Sequence, residues 1–199
     1  MDIPVNAEVY CTDGYCGRST HVILEPATEK VTHLVVREKQ WPHVEVLVPV
    51  AAVTATTPDS INLRYARDGL AEMQHFIETE YIEVDIPRYA GGALYLGLHE
   101  YAEPEVLVVQ HESIPTGELA IRRGTRVEAT DGHIGWVDEF VVNGADERIT
   151  HLVLREGHLW GQREVTIPVS QIARIAEDAI YLNLDKHSVE ALPAIPIHG

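Results

Sequence analysis

Apolar residues recur at alternate positions in short runs along much of this chain, with turn-forming residues between the runs. From residue 125 to 184 the runs read "TRVEAT", "GWVDEFVVN", "ITHLVLRE", "REVTIPV" and "AIYLNL". A period of two places successive side chains on opposite faces, so each run predicts a half-buried β-strand. Asp131-Gly132 marks the first turn, because glycine takes the positive φ of a tight hairpin at little cost. Asn143-Gly144 marks the next. The period then changes in "DKHSVEALP" (Asp185–Pro193), which predicts a short helix with Ser188 as its N-cap and Pro193 as its terminator. Five short strands are too few for a two-sheet sandwich. A small closed β-barrel is the expected arrangement, since closure removes exposed edges.

The pattern occurs twice. At an offset of 118, Thr12-Asp13-Gly14 falls on Thr130-Asp131-Gly132 and Gly17 on Gly135. At the same offset Ala27–Glu38 matches Ala145–Glu156 at eight of twelve positions. One inserted residue later, "VPVAAV" (Val48–Val53) aligns with "IPVSQI" (Ile167–Ile172), and "DSINL" (Asp59–Leu63) with "DAIYL" (Asp178–Leu182). A period this long is a duplicated domain, not a solenoid of 20–50-residue units. The expected organisation is one barrel at 1–76, a connecting segment at 77–119 and a second barrel at 120–199. The two copies are expected to pack about a pseudo-twofold axis, an arrangement that also admits a homodimer.

The combination of Asp131-Gly132, Gly135, Thr150–Val153, Ile167–Val169 and a closing "YLNL…VEALP" resembles the PRC-barrel domain. Residues 1–76 repeat it as Asp13-Gly14, Gly17, Thr32–Val35, Val48–Val50 and "INLRYARDGLAEM". The pattern is similar to the cytoplasmic domain of the photosynthetic reaction-centre H subunit and to the C-terminal domain of the ribosome maturation protein RimM. The resemblance implies a non-enzymatic barrel that docks on other proteins. It covers about 150 residues and carries no family-defined catalytic residue or cofactor. The H subunit's membrane helix and RimM's separate N-terminal domain have no counterpart in these residues.

Charge narrows the partners. Of 199 residues, 31 are acidic and 15 are Lys or Arg, a net −16 that repels nucleic-acid phosphates and anionic lipid headgroups. Residues 77–119 hold nine acids against one base, so half of the net charge sits in that segment. No apolar run approaches the ~20 residues of a membrane-spanning helix. The N-terminus shows neither a signal nor a transit pattern, and two cysteines make no disulfide framework, so a cytoplasmic location is expected.

His33 and His151 are shared by the two copies, which points to a role in the fold; strand alternation puts each outside its barrel, His33 with Val31, Val35 and Arg37, and His151 with Ile149 and Val153. Cys11 and Cys16 correspond to Ala129 and Ile134, so free buried thiols are expected. His99-Glu100 and His111-Glu112 lack the second histidine of a zinc-protease helix. Gly91-Gly92 with Gly97 has neither the spacing nor the β-α-β context of a nucleotide fingerprint. No catalytic residue, metal ligand or cofactor site is expected.

The segment between the copies is the exception to the repeat. It contains Tyr81, Tyr89, Tyr95 and Tyr101, and both "EYIEVDI" and "EVLVVQH" alternate like strands. It reads either as an extension packed across the barrels or as an acidic, tyrosine-bearing recognition arm, aromatics being favoured at interface centres. These readings converge on an all-β chain that binds a protein partner of unspecified identity through its connecting segment and outer strands. Its tyrosines, with His33 and His151, are the candidate interaction residues. The competing readings are a histidine-based metal or small-ligand sensor, and a peripheral component of a photosynthetic membrane complex or of ribosome assembly.

Overall fold

A computed structural model of the chain describes residues 1–84, 105–156, 164–176 and 178–192. In its first half, alternation yields β1 (Asp2–Pro4), β2 (Glu8–Cys11), β3 (Gly14–Glu25), β4 (Lys30–Glu38), β5 (Glu45–Pro49), β6 (Val53–Thr57) and β7 (Ser60–Leu63), followed by α1 (Arg67–Ala71). Strands β8 (Ile77–Val84) and β9 (Glu105–Glu112) come next. The second half contains β10 (Leu119–Arg122), β11 (Arg126–Ala129), β12 (Gly132–Val142), β13 (Ile149–Glu156), β14 (Glu164–Pro168), β15 (Ile172–Ile175), β16 (Ala179–Leu182) and α2 (Lys186–Glu190). Apart from short helical turns, the described residues are all-β.

The two halves have the same strand order. One sheet runs β5-β4-β3-β2-β7-β6 and the other β14-β13-β12-β11-β16-β15, each with a single parallel pair, β2–β7 or β11–β16. Both long strands carry an extra residue opposite the first hairpin strand: Cys16 between the β2 partners Val9 and Tyr10, and Ile134 between the β11 partners Val127 and Glu128. Gly14 and Gly132 sit at φ +116° and +124°, the conformation the Asp-Gly turns require. The preceding aspartates have a second task. Asp13 accepts from the first backbone N–H of α1, Arg67 N, at 3.1 Å, and Asp131 from Lys186 N of α2 at 3.0 Å.

Several expectations need correction. No closed barrel is found: among the described residues, no ladder joins β5 to β6 or β14 to β15. In each half a proline ends the earlier strand and a 3₁₀ turn (Val50–Ala52 or Val169–Gln171) redirects the chain, so the ladder is interrupted there. Strands β6 and β15 lay below the resolution of the alternation pattern. The N-cap of α2 is Asp185, whose carboxylate accepts from Ser188 N at 2.7 Å; Ser188 lies within the helix. The turn expected at Asn143-Gly144 is present: residues 144–146 form it, Asn143 accepts from Ala145 N through its side chain at 3.0 Å, and Glu147 follows at φ +62°.

The halves are tied together by exchanged strands. In β3, Gly14–Arg18 pair with β2, but His21–Leu24 extend past it and would leave an open edge. That edge is taken by β10 from the second half, with Ile121 opposite Val22. Reciprocally, β1 covers the free edge of β12, with Ile3 opposite Phe140. Ile3 and Ile121 are fully buried and stand 118 positions apart, so the exchange follows the repeat. The same symmetry governs a second contact, where Val31 N donates to Glu147 O (3.1 Å) and Ile149 N to Glu29 O (2.8 Å) around a Lys30–Arg148 bridge. One apolar core runs from Ile3 to Val189 through both halves.

The chain divides into two units, Met1–Phe76 with Ile114–Gly199, and Ile77–Ser113. Both six-strand ladders and their exchanged strands therefore belong to one unit, while the β8–β9 hairpin is the other.

Candidate functional site

The hairpin pairs Ile77 through Val84 with Glu112 through Glu105 without a single register shift. Alternation sorts its side chains into two faces. Tyr81 stands opposite Val108, with Thr79, Gln110 and Val106 on the same face; Ile82 stands opposite Leu107, with Glu80 and Val109 on the other. Both faces expose apolar side chains. Tyr81 is 70% exposed, Val108 57%, Leu107 54%, Val106 51% and Ile82 41%. The surrounding charge has one sign: Glu78, Glu80, Glu83, Glu105 and Glu112 lie on these strands, which contain no Lys or Arg. His111 approaches Glu80 at 3.5 Å. Among the described residues neither strand pairs with a third. An isolated two-stranded hairpin is marginally stable in water, and exposed apolar groups on both sides add to its cost.

Of the four candidate tyrosines, Tyr81 is on this hairpin; Tyr89, Tyr95 and Tyr101 lie outside the described residues. Ile82 and Val106–Val108 are the exposed residues that the sequence reading did not single out. Their signal was the four-residue apolar run of "EVLVVQH", which has no turn residue or charge to protect it. Trp41, 86% exposed in the loop before Pro42, is another surface aromatic that the reading passed over.

His33 and His151 occupy equivalent places in the two sheets. His33 is flanked across the ladder by Ile23 and Pro49, and His151 by Val141 and Pro168. Their strands do not alternate throughout as expected. A β-bulge beside Leu24, and another beside Val142, turns Val31 and Ile149 into the core instead of leaving them beside the histidines. Val35 and Val153 are buried but stand outside that core, on the outer faces. His151 Nδ1 lies 3.1 Å from Thr150 Oγ1. Among the described residues His33 Nδ1 has no hydrogen-bond partner; it is 3.9 Å from Glu118, the carboxylate to which the Thr32 hydroxyl donates. Among the described residues, no three histidine, cysteine or carboxylate side chains converge as a metal would require.

Cys11 and Cys16 are free and buried. The Cys16 thiol donates to Val9 O at 3.2 Å, and burial pushes both thiols above their ordinary range. Such thiols are poor nucleophiles at neutral pH. The charged cleft between β1 and β12 is likewise occupied with itself: Asp138 is held by Arg123 at 2.5 Å and by Arg155 at 3.1 Å.

Residues 123–188 match the family model of the PRC-barrel domain. The matched span takes in β11 to β16 and the start of α2. A comparison with curated proteins finds no match. Among the described residues, no helix is long and apolar enough to cross a membrane.

Proposed function

We infer that this chain, which carries a PRC-barrel domain at residues 123–188, is a non-enzymatic protein-binding module whose docking element is the β8–β9 hairpin. The observation that carries this reading is the exposure of Tyr81, Ile82 and Val106–Val108 on a two-stranded element. Apolar groups ringed by carboxylates have the make-up of an interface, with an aromatic and aliphatic centre inside a charged rim. The partner is a protein with an apolar surface bordered by lysine and arginine. Nucleic acid and anionic lipid are disfavoured by the net −16 charge.

That residues 1–76 are a second copy of the domain is supported by their strand order, their bulge and the turn aspartate that accepts from the first N–H of the helix, all of which repeat in the second half. The free buried thiols support placing the protein in the cytoplasm.

The reading is tested by affinity purification from the native cell, comparing the full chain with a Tyr81→Lys/Leu107→Lys variant of unchanged circular dichroism. Loss of a specific co-purifying protein is expected. Identical partners with both baits would remove the hairpin from the account.

A further inference from the structure

The two edges of the hairpin differ. Strand β8 presents Glu78 and Glu80 near its centre, charges that oppose pairing with another acidic strand. Strand β9 has an uncharged centre, Val106 to Gln110, with no proline, lysine or bulge to blunt it. Among the described residues no strand pairs with this edge, and natural sheets rarely leave such an edge uncovered, because its N–H and C=O groups form a template for another strand. We propose that β9 pairs antiparallel with β9 of a second copy of this chain, joining two hairpins into one four-stranded sheet. This rests on the reading of the hairpin as the docking element, and names its first occupant.

The choice of a second copy comes from register and charge. Centred on Val108, the pairing sets Val108 opposite Val108, Leu107 opposite Val109, Val106 opposite Gln110 and Glu105 opposite His111 of the other copy. No carboxylate in this register faces another across the new seam. Moving the centre to the Val108–Val109 bond would set Glu105 against Glu112, and like charges directly opposite are unfavourable. The hairpin's own pairing extends the favoured register outward. Because Tyr81 is opposite Val108, one continuous row reads Tyr81, Val108, Val108, Tyr81 across the four strands. On the reverse face, Ile82 and Leu107 of one copy continue into Val109 and Glu80 of the other. The two acidic β8 strands become the outer edges. A marginal two-stranded element thereby gains the strand number that independent stability requires. Its aromatic face stays open to the basic-rimmed partner, now at twice the width.

The experiment is light scattering and sedimentation of the full chain, with cysteine cross-linking to read the register. The wild type is expected at twice its 22.2 kDa mass. Val108→Lys, which places two ammonium groups face to face at a site already exposed, is expected at the single-chain mass with unchanged circular dichroism. In a Cys11→Ala/Cys16→Ile background, which borrows the residues of the second half, Val108→Cys is expected to cross-link to itself on oxidation. Val106→Cys, which would face Gln110, is expected not to. A wild type that stays monomeric at high micromolar concentration, a dimer that survives Val108→Lys, or equal cross-linking at 106 and 108 overturns the proposal. None of these results would touch the purification test of the hairpin as a docking element, so the two readings fail separately.

Discussion

Truncating Ile3 to alanine should loosen a sheet whose own first hairpin strand begins only at Arg126. Ile3 is fully buried on β1 and faces Phe140 of β12, so the truncation removes core packing from the second half of the chain. An isoleucine-to-alanine change in a packed interior costs about 2–5 kcal/mol through lost burial and the cavity left behind. A three-residue edge strand can settle partly into the space, which favours a value of about 3 kcal/mol. For a unit of this size that loss lowers the melting temperature by about 6–12 °C. Urea unfolding followed by far-UV circular dichroism measures the cost, and native-state hydrogen exchange shows where it falls. Amides of β12 and β13 should lose protection before those of β2 and β3. Ile121→Ala is the mirror experiment and should loosen β3 and β4 first. A loss under about 0.5 kcal/mol, below what a buried side chain can give, or exposure confined to the mutated half, would refute strand exchange as the tie between the halves.

Three further outcomes follow from local geometry. Gly17→Ala puts a Cβ 2.1 Å from the Arg37 carbonyl oxygen, so β3 and β4 must part; a loss of about 1–3 kcal/mol in urea unfolding is expected, as for overpacking in general. Cys11 and Cys16 should resist Ellman's reagent at pH 8 in the folded protein and react fully in denaturant. Because their folded values are raised, the stability they contribute is complete below the ordinary thiol value of ~8.5 and declines as pH rises beyond it. Asp185 has its carboxyl held below the usual range by the Ser188 hydrogen bonds, so its support of α2 is present above about pH 4 and is lost as pH falls through the lowered value. An Asp185→Asn comparison in acid unfolding should show a shallower decline over that range.

Legibility in the sequence followed the range of the interactions. The long strands and the Asp-Gly turns were readable because alternation and positive φ are local properties. The exchange of β1 and β10 was not, because "DIP" and "LAIR" are too short to show a period and their partners lie far away in sequence. The 118-residue offset does align Ile3 with Ile121, a signal that needed only to be followed to the chain's first residues. The outward placement given to Val31 and Ile149 failed because a bulge shifts the alternation by one residue, and nothing in the strand itself announces the bulge. Of the candidate site, Tyr81 was legible as an aromatic in an acidic segment. The exposure of Leu107 and Val108 was not, because a run of valines reads equally as a covered strand until its neighbours are known.

Position-specific photo-cross-linking tests the docking role most directly. A benzophenone side chain placed at residue 81 in the native cell should give an adduct with a protein other than the chain itself. The same group at exposed Thr54, in the other unit, should give none. Absence of any adduct at 81, or equal labelling from both positions, would contradict the assignment of the hairpin as the surface through which this protein works.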